Sequence, residues 1–367
     1  MKVTFVLSVH LPYDERVYFH QKTALEKIGC EVSIISMMNN SCKENDIFTL
    51  NKDNATHLDI RKQVNTILCK LTPDVIICDT PIAIWYCLKY KKQQKKQLRI
   101  IYDVTEYYPS KKNVLGLSFF KKAIKNTLLS ILKRYTCKRA DGFIYGEYYK
   151  FDANRAITKN KPFVFTSYYP NLEDITPYPI RSLKDECIFF YAGHPNKDKG
   201  YDKVLEVITK CAENNPATQF ILRTVLYSSP SSNVQLPANA TIEQVPFLPY
   251  QEFAAELGKV DICLDLREID TENNCCLPIK LFYFMGCGRA FIISDLKAIR
   301  KEVPEATEAG KLVNPNNSEE IVSIVEKFIH DFPYYASHCE RGLELAHKKY
   351  NWHAIESSFT QFILGNG

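Results

Sequence analysis

The chain has 367 residues, 46% of them hydrophobic and 24% charged, and a net charge of +5. That length points to two domains, because single cores stop growing near ~250–300 residues, and the composition argues against a disordered or fibrous chain. No run approaches the ~20 apolar residues of a membrane span. The thirteen cysteines are odd in number, form no Cys-x-x-Cys pair, and several (Cys78, Cys87, Cys187, Cys263) sit inside apolar runs, which suits a reducing, cytoplasmic compartment rather than a disulfide scaffold.

Residues 2–9 read as a first buried strand and not as a signal peptide, since His10, Pro12, Tyr13, Asp14 and Glu15 follow at once. Val17, Ala24, Leu25 and Ile28 lie at helical spacing and predict a helix over 14–28, ended by Gly29. Strands follow at 30–36, 74–78, 99–102 and 143–145. The Pro-rich stretch 168–179 reads as a linker between halves. A second series then begins: strand 187–192, helix 201–211, and strands 219–222 and 261–266. After these come helix 279–285, strand 290–293 and helix 318–329, with Ser318 expected as the cap and a carboxylate close behind. The tail, 350–364, is one more helix. Alternation of this kind predicts parallel α/β sheets, whose ligands bind outside the carboxyl ends of the strands.

Charge is unevenly spread. Residues 89–139 carry fifteen Lys/Arg against two acids, Asp103 and Glu106, so this segment holds +13 and the remainder −8. Within it Leu117, Phe120, Ile124, Leu128, Ile131 and Tyr135 form one apolar stripe at helical spacing, decorated by Lys121, Lys122, Lys125, Lys133 and Arg134. One reading packs the stripe on the sheet. The other lays the basic region 111–139 on an anionic membrane surface, where each Lys or Arg adds ~1 kcal/mol. Both hold together if the apolar face turns inward and the basic face meets lipid. A nucleic-acid partner is not expected, because neither an aromatic platform nor a known motif accompanies the charge.

Two loops that follow strands carry candidate chemistry. In residues 191–200, Gly193 and Gly200 allow close backbone approach, and His194 and Lys199 add cationic donors where a helix begins. That is a seat for a diphosphate; the bland alternative is a solvated turn with surface lysines. In residues 273–288, Pro278 suits a first helical turn and Lys280 lies in it, either beside the same anion or on the surface. Leu281, Phe282, Phe284 and Met285 read as core. Neither loop matches the Gly-x-Gly-x-x-Gly fingerprint or a P-loop, and without an Asp-x-Asp triplet no metal is expected.

In order, these pieces resemble the family 4 retaining glycosyltransferases of GT-B fold, over nearly the whole chain. His10-Leu11-Pro12-Tyr13-Asp14-Glu15-Arg16-Val17 is similar to that family's opening, and Tyr102-Asp103-Val104-Thr105-Glu106 to its Asp-x-His-Glu segment. Tyr191-Ala192-Gly193 with Lys199-Gly200 is similar to its phosphate loop. Pro278-Ile279-Lys280-Leu281-Phe282 with Met285 and Gly288, then Ile293-Ser294-Asp295, is similar to its C-terminal signature. Tyr350-Asn351-Trp352 resembles the start of its closing helix. The sequence departs from the pattern at Thr105 (usually His), His194 (often Arg), Cys275 (often Glu) and Tyr283 (usually Glu).

The resemblance implies two Rossmann-like doubly wound domains, 1–170 and 171–348, facing a central cleft, with 349–367 crossing back as a helix onto the first. It implies transfer of a sugar, with retention, from a nucleotide-sugar to a glycan or lipid-linked acceptor in surface polysaccharide synthesis. Neither a cofactor nor a metal is expected. Carried over by position, Lys199, His194 and Glu106 are the catalytic candidates, with Glu106 alternatively structural. Gly193, Lys199, Gly200, Lys280 and Tyr283 would hold the nucleotide diphosphate, and Asn274, Cys276 and Leu277 the donor sugar. His10, Asp14, Arg16 and Asp103 would face the acceptor, although Asp14 equally suits a helix cap. From the cysteines and the basic region, the expected location is cytoplasmic, with peripheral contact at the inner face of the cytoplasmic membrane as one of the two readings of that region. Three other readings stay open: a catalytically inactive GT-B binding or regulatory subunit, a sugar-nucleotide epimerase of that fold, and a dinucleotide-dependent oxidoreductase, against which the missing glycine fingerprint counts.

Overall fold

The computed structural model describes all residues except 39–43, 95–96, 229–234, 247 and 366–367. It divides into two compact units, one made of Met1–Ser167 with Ile355–Gly367, the other of Tyr168–Ala354.

The first unit is built on seven parallel strands: β1 (Lys2–Leu7), β2 (Glu31–Ser36), β3 (Ile47–Thr49), β4 (Val75–Cys78), β5 (Arg99–Val104), β6 (Gly142–Tyr145) and β7 (Phe163–Phe165). Their order across the sheet is β3-β2-β1-β4-β5-β6-β7. β1 is flanked on both sides, Val3 pairing with Val32 and with Val75. Strands covered on both faces must be apolar throughout, which is why Val-Ile-Ile-Cys in β4 is buried at every position. The helix His57–Leu71 went unread in the sequence. It buries Ile60, Val64 and Leu68 and starts at a reciprocal cap between Thr56 and Asp59.

The second unit repeats the plan with six strands: β8 (Glu186–Gly193), β9 (Gln219–Leu226), β10 (Ala240–Val245), β11 (Ile262–Asp265), β12 (Ala290–Ser294) and β13 (Gly310–Val313), ordered β10-β9-β8-β11-β12-β13. Helix Tyr201–Asn214 lays Val204, Leu205, Ile208 and Cys211 against this sheet, facing Val322 and Val325 of helix Ser318–His330 within one core. In each sheet the strand order reverses beside the first strand, at β1/β4 and at β8/β11. Loops leaving two such neighbours diverge to opposite faces and leave a crevice, the usual seat of ligands in this architecture.

Several sequence expectations are corrected. The first helix opens with π-type turns over Glu15–Lys22 and becomes α-helical only at Thr23–Lys27. The cap of helix Ser318–His330 is Asn317, whose Oδ1 accepts the Glu320 N–H at 3.3 Å, and Ser318 is already the first helical residue. The stretch 168–179 is not a free linker. Tyr169 packs edge-on against Phe282 at 4.7 Å, and Ile175 is buried. The tail helix begins at His353, and from Ile355 onward it belongs to the first unit. There Arg99 donates to the Phe362 and Ile363 carbonyls at 3.0 and 2.7 Å.

The largest correction concerns the basic helix. The stripe expected to turn inward does not. In helix Phe119–Cys137 only Thr136 and Cys137 are buried. Phe119, Phe120, Ile124, Leu128 and Ile131 are exposed by 80, 78, 62, 61 and 58%. Apolar and basic side chains thus share the solvent-facing surface. Among the described residues the cysteines are all free, and no helix is long and apolar enough to cross a membrane.

Candidate functional site

In the second unit the crevice at β8/β11 is formed by three chain segments. β8 ends at Gly193, with φ of +148°, and the chain makes a short turn over Lys197–Lys199. Gly200, with φ of +76°, then starts helix Tyr201–Asn214. The residue after β11, Leu266, points its carbonyl to within 1.9 Å of where a Gly200 Cβ would sit, so a side chain is excluded there by both conformation and space. Glu268 N–H reaches the Asp198 carbonyl at 3.0 Å, and Lys203 pairs with Glu268 at 3.0 Å. These contacts latch the turn to the strand beside it. Gly200→Ala should therefore cost about 2–4 kcal/mol, the sum of a left-handed alanine and an overpacked contact, read as a lower denaturation midpoint.

Charged side chains gather around this turn. Lys199 Nζ donates to Asn273 Oδ1 at 3.0 Å and lies 3.7 Å from Asp198, which is on the solvated rim. Lys280 Nζ donates to the Ala192 carbonyl at 2.5 Å and lies 3.4 Å from buried Asp265. Arg267, which the sequence reading missed, clamps Asp265 with Nε at 2.9 Å and Nη2 at 2.5 Å. Burial holds Lys280 below its ordinary pKa, with Asp265 pulling it up and Arg267 and Lys199 pushing it down. Burial works against ionised Asp265, but Arg267 and Lys280 outweigh it and hold this carboxyl well below the usual range. Two cations, Arg267 and Lys280, thus pair with one buried carboxylate, and Lys199 stands nearby on the turn that opens a helix. Fixed cations and free N–H groups at a helix start are the chemistry that an anion requires.

The remaining residues expected in this unit lie around it. His194 is exposed, its ring 5.1 Å from that of Tyr227, and its carbonyl accepts from the Tyr191 hydroxyl at 2.8 Å. Asn274 accepts the Lys297 N–H at 2.8 Å and so ties its loop to the next helix. Cys276 is partly buried and Leu277 buried. Tyr283 is 3% exposed, edge-on against Phe253 at 5.3 Å.

In the first unit the crevice at β1/β4 holds a pair of which only one member was singled out. Asp79, just past β4, is buried and accepts the N–H groups of Ser8 and Val9 at 2.8 and 3.0 Å. His10 Nδ1 meets the same carboxylate at 3.1 Å, and the ring's Nε2 bonds to no described residue. Arg16 and Asp103 are buried against each other, with Gln21 donating to Asp103 at 3.1 Å and Arg16 to Thr166 Oγ1 at 2.7 Å. The two side chains thus meet in the interior of the first unit. Asp14 caps its helix through the Arg16 and Val17 N–H groups. Glu106 is exposed and pairs with no described residue. Among the described residues, no group of three or more His, Cys, Asp or Glu side chains could hold a metal ion.

Burial lowers the His10 pKa, but the Asp79 bond and the charges of Asp79, Asp14 and Asp103 outweigh it and raise the ring above its ordinary 6.5. The charged pair thus adds stability that is full below 6.5 and is lost as pH rises through the folded value. Asp79, held below its ordinary 3.8, contributes above 3.8 and loses that contribution as pH falls through its own folded value. Asp79→Asn is expected to lower the His10 pKa, followed by proton NMR, and to cost about 1.5–3 kcal/mol at neutral pH. An unmoved His10 titration would mean that the 3.1 Å contact carries no charge coupling.

No protein-family model matches the sequence, and no curated protein matches it. Among solved structures the chain is similar to sucrose-phosphate synthase from Thermosynechococcus elongatus, with a TM-score of 0.73 and 14% identity over 99% of this chain and 98% of that one. It is similar to HepE from Anabaena in complex with UDP-glucose, with a TM-score of 0.70 and 12% identity over 100% of both chains. It is also similar to WaaG, a glycosyltransferase involved in lipopolysaccharide biosynthesis, with a TM-score of 0.66 and 11% identity over 99% of this chain and 100% of that one. At such identities the likeness is one of fold, and with both sheets matched end to end the chain has the GT-B fold of two Rossmann-like units.

Proposed function

We propose that the protein is a metal-independent glycosyltransferase that takes its sugar from a nucleotide-sugar bound on the second unit. One observation carries the reading: Lys199, Lys280 and the Gly193–Gly200 backbone converge at the β8/β11 crevice, where the strand order reverses. As the bond from sugar to phosphate breaks, negative charge grows on the departing diphosphate. Fixed cations and helix N–H groups aimed at it stabilise the transition state more than the ground state. Because these side chains supply the positive charge, chelating agents should leave turnover unchanged.

The acceptor is proposed to be a glycan or lipid-linked sugar bound on the first unit, with His10, oriented by Asp79, holding a hydroxyl. HepE binds UDP-glucose and WaaG serves lipopolysaccharide synthesis, which supports a UDP-sugar donor and a role in surface polysaccharide synthesis for this chain. The outward-facing stripe of helix Phe119–Cys137, flanked by Lys121, Lys122 and Lys125 and free of acids, supports docking on an anionic lipid surface. The protein would then work at the inner face of the cytoplasmic membrane, where a lipid-linked acceptor is presented.

Titration with UDP, GDP and ADP, followed by a donor-hydrolysis assay, tests the core of this reading. Tight binding of one diphosphate with turnover of its sugar is expected. Binding without turnover would leave a binding or regulatory role, and no binding of any would overturn the proposal.

A further inference from the structure

We propose that Arg267 is the third cation of the diphosphate seat, set in place by Asp265; the inference rests on the donor reading above. Arg267 stands two residues past the end of β11, the neighbour of β8. Its own backbone nitrogen lies 3.0 Å from the missing Gly200 Cβ, so it sits against the cap of the helix that would receive the phosphates.

The side chain is held in one orientation. Its Nε and Nη2 are spent on Asp265, whose side chain is 4% exposed, and Ser294 Oγ fixes the Arg267 carbonyl at 2.6 Å. A guanidinium carries five N–H groups in a rigid fork, and the clamp uses one edge only. Nη1 forms no hydrogen bond with any described residue and is not a sealed, buried atom. A donor edge locked by a carboxylate on its far side loses little freedom when it meets a phosphate, which is the geometry of a preorganised receptor.

The charge around Asp265 points the same way. One buried carboxylate answers two cations, Arg267 and, at 3.4 Å, Lys280; Lys199 adds a third from the turn, with the exposed Asp198 3.7 Å away, so three cations stand against two carboxylates. A partly desolvated cluster with surplus positive charge is satisfied by an anion with more than one charge. A sugar diphosphate ester carries two, and the nucleoside diphosphate it releases carries more. Asp265 is then a positioning residue, since it touches the cations and not the ligand. A purely structural triad would explain the clamp equally, but it would leave ligand preference untouched.

That difference is measurable. Wild-type protein and the Arg267→Gln and Arg267→Lys variants would be titrated calorimetrically with UDP, GDP and ADP and with UMP, GMP and AMP. Wild type is expected to prefer one diphosphate over its monophosphate. Arg267→Gln should shrink that preference roughly 10–100-fold, with Arg267→Lys, which keeps the charge on Asp265, falling between. If the glutamine variant does not fold, the lysine variant decides. An unchanged preference in a folded variant overturns the role of Arg267 while leaving the donor reading intact. A wild type with no preference for any diphosphate overturns the donor reading itself, before any variant is made.

Discussion

Lys199→Ala is expected to slow sugar transfer about 10²–10³-fold, the usual cost of losing one donor aimed at developing charge. The side chain is about a third exposed and its close partners among the described residues are Asn273 and Asp198, so little stability depends on it. Melting should shift by no more than a surface substitution does, within about 0.5 kcal/mol. The loss should fall mainly on kcat, because the diphosphate gains negative charge only as the sugar departs, and an interaction that strengthens at that moment accelerates the step. Steady-state transfer or donor hydrolysis, paired with diphosphate titration, separates the two. An unchanged rate in the alanine variant would remove Lys199 from the chemistry.

The second large effect concerns lipid. Phe119→Ser with Phe120→Ser should weaken binding to vesicles containing phosphatidylglycerol by roughly 10²-fold or more, since each apolar side chain buried is worth about 1.5–3 kcal/mol. Charge reversal at Lys121, Lys122 and Lys125 should also weaken binding, at ~1 kcal/mol for each charge near the surface. Only the second loss should vanish at high salt, because screening removes the Coulomb part and spares the apolar part. All five side chains are exposed, so neither set of changes should alter the melting temperature. Co-flotation at low and high salt provides the readout. Wild-type protein that fails to float at low salt would end the membrane proposal.

Apart from Phe119, both experiments turn on residues that the sequence singled out, but with unequal completeness. The turn from Gly193 to Gly200 was legible because glycines, a lysine and a helix start occur within one short segment. The need for Gly200 itself was not, since the group that excludes a side chain is the Leu266 carbonyl, far along the chain. Arg267 and Asp79 escaped notice for the same reason. Nothing near Arg267 in sequence marks it, and its meaning comes from β11 lying beside β8. Asp79 matters because β4 lies beside β1 and brings its carboxylate under the N–H groups of Ser8 and Val9. Arg16 and Asp103 were singled out one by one, and only the fold shows that they are buried against each other.

The stripe from Phe120 to Tyr135 marks the boundary well. Its spacing established that these side chains share one face of a helix, because a turn of 3.6 residues is a local property. Which way that face turns was decided by packing with distant elements, and it turns outward. The same division holds for the whole molecule. Apolar runs, glycine stops and capping residues were enough to establish a chain of alternating strands and helices in two series. Strand order, and with it the meeting of Lys199, Arg267, Lys280 and Asp265 at one crevice, came only from tertiary structure. Hydrogen-bond ladders join residues far apart in the chain, and no local periodicity records which strand lies next to which.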